Sequence, residues 1–305
     1  MIKNNYVFSL SFLHAFDYRR NEDYKENLSL EPFDEFKKFL DHTSGEIIVD
    51  KKPDCEFGKG VVTSIIMNSD RYKPFCKKAT SKNYHINFYK NSNEFKELKS
   101  LKLKSLNYLS IDEIVEKWVN YSKKMMDNFS PDLIINWADI LKRFDLKIDK
   151  VIIEDKFLYT GDALINTIIP IIKYFQRFNK GKFIIIGVID RKFSNIDEYK
   201  IIQLKKLENI ISPQNIELII LPSQNSQDLQ HDRRLCTSFH TINLPSGFKN
   251  LPEGKKIDFS TEPSQTTILG DKESELYFQR LNNDLEKRLK RWKEKEKEKG
   301  FSSRA

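Results

Sequence analysis

An imidazole, a carboxylate and two guanidinium groups follow one another at His231-Asp232-Arg233-Arg234. Guanidinium orients an anion through paired N–H donors. Imidazole attacks a phosphorus centre or relays a proton. Together they suit a phosphate, either held or cleaved. The run follows an apolar stretch, Ile216 to Leu221, and a polar one, Pro222 to Gln230. It precedes a second strand-like run, Leu235 to Leu244. The four groups therefore stand where a strand emerges from a loop, where side chains converge on a pocket rather than on a core. The competing reading is structural: Asp232 bridging an arginine and pinning the loop.

The elements that must position these groups begin at Ile148. Val151 to Glu154 reads as a buried strand, Gly161 to Phe178 as a helix, and Phe183 to Ile189 as a continuously apolar second strand. Asp197 to Ile211 reads as a second helix and Ile216 to Leu221 as a third strand. Two successive β–α–β units imply right-handed crossovers and a largely parallel sheet. Such sheets hold ligands beyond the carboxyl ends of their strands. Glu154, Asp155 and Lys156 fall at that end of the first strand, and Asp190 and Arg191 at that end of the second. The 231–234 run follows the third. Asp155 can orient His231, as a carboxylate orients a working imidazole, or bridge Arg233. Three separate segments thus bring charge to one rim.

The preceding chain divides in two. Residues 1–109 mix short strand-like runs with polar loops and read as a small α+β module. The runs are Tyr6 to Leu13, Glu46 to Asp50, Val61 to Met67 and Tyr84 to Tyr89, with a short helix at Phe33 to Leu40. Gly58-Lys59-Gly60 is too short and wrongly spaced for a phosphate loop and reads as a turn. Residues 110–146 read as linking helices. Ser110 with Glu113 makes a capping box, and Ser130-Pro131-Asp132 starts a second helix. Trp118 and Trp137 fall on apolar faces. Residues 147–270 form the α/β domain. Residues 271–305 read as a long amphipathic helix carrying Tyr277, Leu281, Leu285 and Leu289 at every fourth position.

Composition bounds the partners. The 305 residues carry a net charge of +8. Between Glu286 and Ala305 there are nine basic and four acidic residues, so much of the excess is local. Lys287, Arg288, Lys290 and Arg291 are the polyanion-binding candidates. The three cysteines, Cys55, Cys76 and Cys236, are odd in number and lack CxxC spacing. They indicate neither a disulfide framework nor a zinc site, and a reducing cytoplasm fits. No histidine pairs with cysteine or carboxylate at metal spacing, so no metal and no cofactor is expected. The longest apolar stretches are too short for a membrane span.

The order of a strand ending Ile153-Glu154-Asp155, a helix, a second strand and then His231-Asp232-Arg233 resembles the phospholipase D-like fold. It is most similar to the C-terminal domain that accompanies MIT modules. The likeness covers roughly residues 147–268, and Gly247-Phe248 fits a glycine–aromatic step of that group. In active enzymes of the fold, His-x-Lys supplies a covalent nucleophile and a phosphate-holding lysine. The resemblance then implies His231 as nucleophile, with Arg233 where lysine stands. The motif occurs once, whereas the chemistry uses one histidine to attack and one to protonate the leaving oxygen. A homodimer would supply the second. The MIT-associated domains are similar but bind acidic lipids and partners.

The expectation is thus an α/β protein with a mostly parallel central sheet and a phospholipase D-like domain that binds. Catalytic candidates are His231, Arg233 and Asp155. Ligand-binding candidates are Glu154, Lys156, Arg191, Asp232 and Arg234. The favoured ligand is phosphate-bearing, nucleic acid first, or an acidic protein partner, in a bacterial defence or nucleic-acid-processing complex. The alternatives are a metal-independent phosphodiesterase or nuclease active as a homodimer, and a peripheral module on anionic lipids.

Overall fold

The structure is a computed structural model. It describes residues 5–43, 45–50, 60–70, 72–74, 83–91, 94, 104–122, 146–156, 158–159, 168–176, 179–189, 196–210, 212, 215–222, 233–244 and 264–267, with nine positions between 276 and 294.

Two sheets organise these residues. The first contains β1 (Tyr6–Phe8), β2 (Ile47–Val49), β3 (Tyr72–Pro74), β4 (Asn83–Tyr89) and β5 (Lys104–Ser110). Its order is β3-β2-β1-β4-β5, and every pairing is parallel. The chain therefore reverses direction across the sheet between β1 and β4, as in doubly wound folds. Helices α1 (Leu10–Lys25), α2 (Glu31–His42), α3 (Val61–Met67) and α4 (Ile111–Ser122) accompany it. The N-terminal part is thus α/β, with a mostly parallel central sheet, and not the α+β module expected. Three of its strands, β1, β2 and β3, have three residues each, too few to show a period.

Local chemistry explains two further differences. The run from Tyr6 is a strand only to Phe8, because Ser9 caps α1: its hydroxyl accepts the Phe12 N–H (2.9 Å). Val61 to Met67 is rich in β-branched residues, yet it is helix α3. The Asp17 carboxylate, 45 residues earlier, accepts the Val62 N–H (3.1 Å) and satisfies the start of that helix. Tertiary contact overrides propensity there. The capping box at α4 forms as expected: the Ser110 N–H donates to Glu113 Oε2 (2.9 Å) and the Glu113 N–H to Ser110 Oγ (3.3 Å). Phe8, Phe12, Phe16, Phe36, Phe39, Phe88 and Trp118 pack as one aromatic core. Phe8 stacks on Phe88 at 4.5 Å and Trp118 meets Phe36 edge-on at 4.9 Å.

The second sheet contains β6 (Ile148–Glu154), β7 (Asn179–Ile189), β8 (Ile216–Pro222), β9 (Arg233–Thr237), β10 (His240–Leu244) and β11 (Ser264–Thr267). Its order is β11-β10-β9-β6-β7-β8. Strands β6, β7 and β8 are mutually parallel, as two β–α–β units require. Helix α5 (Ile169–Phe175) lies between the first pair in sequence and α6 (Ile196–Glu208) between the second. Beyond β6 the sheet turns antiparallel, so it is mixed and not the mostly parallel sheet expected of residues 147–270. The apolar run after Arg234 is not one strand but a hairpin, β9 and β10 folding back around Ser238-Phe239. The Asn107 side chain links the two halves: its Nδ2 donates to Lys147 O (2.8 Å), and the Lys147 N–H donates to its Oδ1 (2.6 Å).

The second linking helix at 130–144 and much of the 161–178 helix lie outside the described residues. So does most of the 271–305 segment. Its described positions 276, 280, 283, 284, 286, 287, 290, 291 and 294 are helical.

Candidate functional site

The carboxyl end of β6 meets the start of β9. Because these strands are antiparallel, Ile153 stands opposite Leu235 and Glu154 opposite Arg234. Successive strand residues point to opposite faces. Val151, Ile153 and Leu235 join the main core, while Ile152, Cys236, Glu154 and Arg234 occupy the other face. Both faces are buried, as in a sheet covered on two sides.

This register makes two ion pairs on adjacent rungs. Arg234 Nη2 lies 3.5 Å from Glu154 Oε2, with side chains only 2% and 1% exposed. Arg233 Nε lies 3.5 Å from Asp155 Oδ1, at 11% and 6%. Each pair sets one cation beside one anion, and the two pairs point to opposite faces of the sheet. Asp155, whose residue type and position suit either orienting His231 or bridging Arg233, is placed beside Arg233. Glu154 and Arg234 do not line an open hollow; they face the interior. That corrects the expectation of a shared anion-accepting rim at these two residues. An unpaired buried charge is far costlier than a paired one, so each closes on its cross-strand neighbour.

The turn after β6 depends on a residue without a side chain. The Asp155 N–H donates to Ile186 O (3.0 Å), prolonging the ladder. The Leu158 N–H donates back to Asp155 O (3.3 Å). Tyr159 then folds over β7, and its hydroxyl donates to Ile185 O (3.1 Å). A Cβ on Gly187 would lie 2.8 Å from the Tyr159 ring and 3.0 Å from Asp155 O. Only glycine allows this approach. Tyr159 and Gly187 are positioning residues that the charge pattern alone does not single out. A lone glycine within the apolar strand Phe183 to Ile189 is the signal that marks the place. At the opposite end of β6, Ser238 in the hairpin donates to the Asp149 carboxylate, and the Asp149 N–H returns to Ser238 Oγ (3.4 Å).

Cys236 shares the face of the Glu154–Arg234 pair. Burial pushes its thiol up to about 11, against a smaller opposing contribution from the Thr241 hydroxyl 3.8 Å away. It is protonated at neutral pH and is no nucleophile. Lys156, half-buried, follows Asp155 directly. His231, Asp232, Asp190, Arg191 and Arg288 lie outside the described residues. Lys287, Lys290 and Arg291 are exposed, with Lys290 3.9 Å from Glu294. Among the described residues no cluster of His, Cys, Asp or Glu could hold a metal ion, and no helix is long and apolar enough to cross a membrane.

The fold and site define an α/β protein with a charged clamp at a strand end. No family model matches the chain, and no curated protein matches it.

Proposed function

We propose that this chain binds a phosphate-bearing ligand, nucleic acid before any other, on a phospholipase D-like scaffold. One observation carries the reading. The segments that bear the resemblance are 80 residues apart at Glu154 and Arg234, yet they meet on neighbouring strands where β6 ends. Within the reading the two ion pairs are the mount. The Glu154–Arg234 pair holds β9 in register, and the Asp155–Arg233 pair fixes the point from which the chain runs back to His231 and Asp232. Lys156 and the His231 imidazole then meet the phosphate, and Arg191 adds charge. The exposed cations Lys287, Lys290 and Arg291 add sequence-independent attraction.

The binding reading is favoured over the phosphodiesterase because Arg233 and Asp155 are engaged with each other. The test is fluorescence anisotropy with labelled single- and double-stranded DNA and RNA in EDTA across a salt series. Binding is expected, with an affinity falling as salt rises. Replacing Lys287, Lys290 and Arg291 by alanine should flatten the log–log slope by up to about 0.9 for each duplex phosphate that is no longer neutralised. Cleavage abolished by His231→Ala would make the enzyme reading the right one. Binding only to acidic vesicles would make it a lipid module. No binding to either overturns the proposal.

A further inference from the structure

Strands β6 and β7 run parallel, but their register is not constant. Ile148 stands opposite Asn179, whereas Lys150 stands opposite Lys182. Two steps along β6 therefore match three along β7, and β7 carries one extra residue there. Such bulges are rare between parallel strands, and they re-aim the side chains beside them. Without the extra residue Lys150 would face Gly181. With it, two lysines become direct cross-strand neighbours, on strands about 4.8 Å apart and on one face of the sheet. Gly181 is what allows the bulge, because a Cβ there would run into the Asp149 carbonyl.

Neighbouring like charges repel, and directly opposed ones weaken a sheet. An acid could relieve this, yet neither ammonium group has an ion pair or hydrogen bond among the described residues. The acids nearby are engaged elsewhere. The Asp149 carboxylate accepts the Ser238 hydroxyl, and Glu217, opposite Ile184 on β8, has a partner of its own. Lys147, exposed, adds a third cation at this end of β6. Lys182 is exposed and Lys150 half-buried, so packing demands lysine at neither position. We infer that Lys150 and Lys182 together hold one backbone phosphate of the nucleic acid. An anion between the two ammonium groups replaces their repulsion with two attractions. Lysine holds phosphate as a point charge, so the contact is independent of base sequence. It lies toward the other end of β6 from Asp155, five residues or about 16 Å away. The inference rests on the nucleic-acid reading and adds a second point of attachment to it, fixed on the sheet itself.

Anisotropy of labelled DNA with the full chain, read across a salt series, gives the outcome. Lys150→Gln with Lys182→Gln should flatten the log–log slope by about 0.9 on a duplex, or about 0.7 on a single strand, for the one phosphate released. On a duplex the affinity at about 0.1 M salt should fall roughly eightfold, which is the same dependence evaluated at that concentration. Lys182→Gln alone, at an exposed position, should give part of that loss. Replacing both lysines by arginine keeps the charge and should keep the slope. Without DNA and at low salt, the double glutamine variant should melt at or above the parent, since a repulsion has been removed; a lower melting temperature overturns the inference. Binding with an unchanged slope in the double variant overturns it too and leaves the nucleic-acid reading in place. A parent chain that binds neither DNA nor RNA overturns both.

Discussion

Consider Arg234→Met. The substitution keeps the length and apolar stem of the side chain and removes its charge. Glu154, 1% exposed, then keeps a carboxylate with its cross-strand cation gone. At 3.5 Å, an effective dielectric near 20 gives an attraction of about 5 kcal/mol. Against this stands a desolvation penalty of several kcal/mol for each ion. The intact pair is thus close to neutral in net stability, whereas losing one partner forfeits the attraction and retains the penalty. The expected cost of Arg234→Met is about 3–5 kcal/mol, a large share of the roughly 5–15 kcal/mol that holds a folded protein together. Glu154→Leu alone should cost a similar amount, because it strands the guanidinium. The double variant leaves no charge at this pair and should recover to within about 1–2 kcal/mol of the parent. Urea titrations of the four proteins, followed by circular dichroism, give the coupling energy directly. Additive losses in the double variant, or a loss under about 1 kcal/mol for Arg234→Met, would refute the view that a closed interior pair sets the β6–β9 register.

Gly187→Ala should cost about 1–3 kcal/mol by overpacking against Tyr159 and Asp155, and should lower ligand affinity by shifting Lys156; an unchanged melting temperature would count against it. Tyr159→Phe should cost only about 1 kcal/mol, the worth of its bond to Ile185 O. The Cys236 thiol, raised from 9.0 to about 11, binds its proton more tightly folded than unfolded. Its contribution to stability is therefore complete below pH 9 and falls as pH rises toward 11, by about 2–3 kcal/mol. Cys236→Val should lack that alkaline step, and the Cys236 thiol of the native protein should resist thiol reagents at about pH 8. Asn87 is buried in β4, and neither amide atom has a hydrogen-bond partner among the described residues. Asn87→Leu should raise the urea midpoint by the equivalent of about 1–3 kcal/mol, and a lower midpoint would show that the amide has a partner in solution.

Much of the second half was legible along the chain. The apolar runs at 151–154, 183–189 and 216–221 are strands because unbroken β-branched stretches of that length suit a sheet covered on both faces. Ser110 and Glu113 announced α4, since a capping box closes within four residues and needs no distant partner. The 231–234 run marked a strand start, and Arg233 does open β9. The rest depended on contacts between residues far apart in sequence. Val61 to Met67 carries a strand-like composition and becomes a helix because Asp17 caps it. Ser238-Phe239 carries no glycine or asparagine, so nothing local separated β9 from β10. The pairing of Arg234 with Glu154, and of Arg233 with Asp155, followed from one antiparallel register. Side-chain types state which charges are present, and periodicity states which local element carries them. Which charges neutralise one another is decided only when two strands dock, because the energy that selects the partner is the desolvation both share on burial.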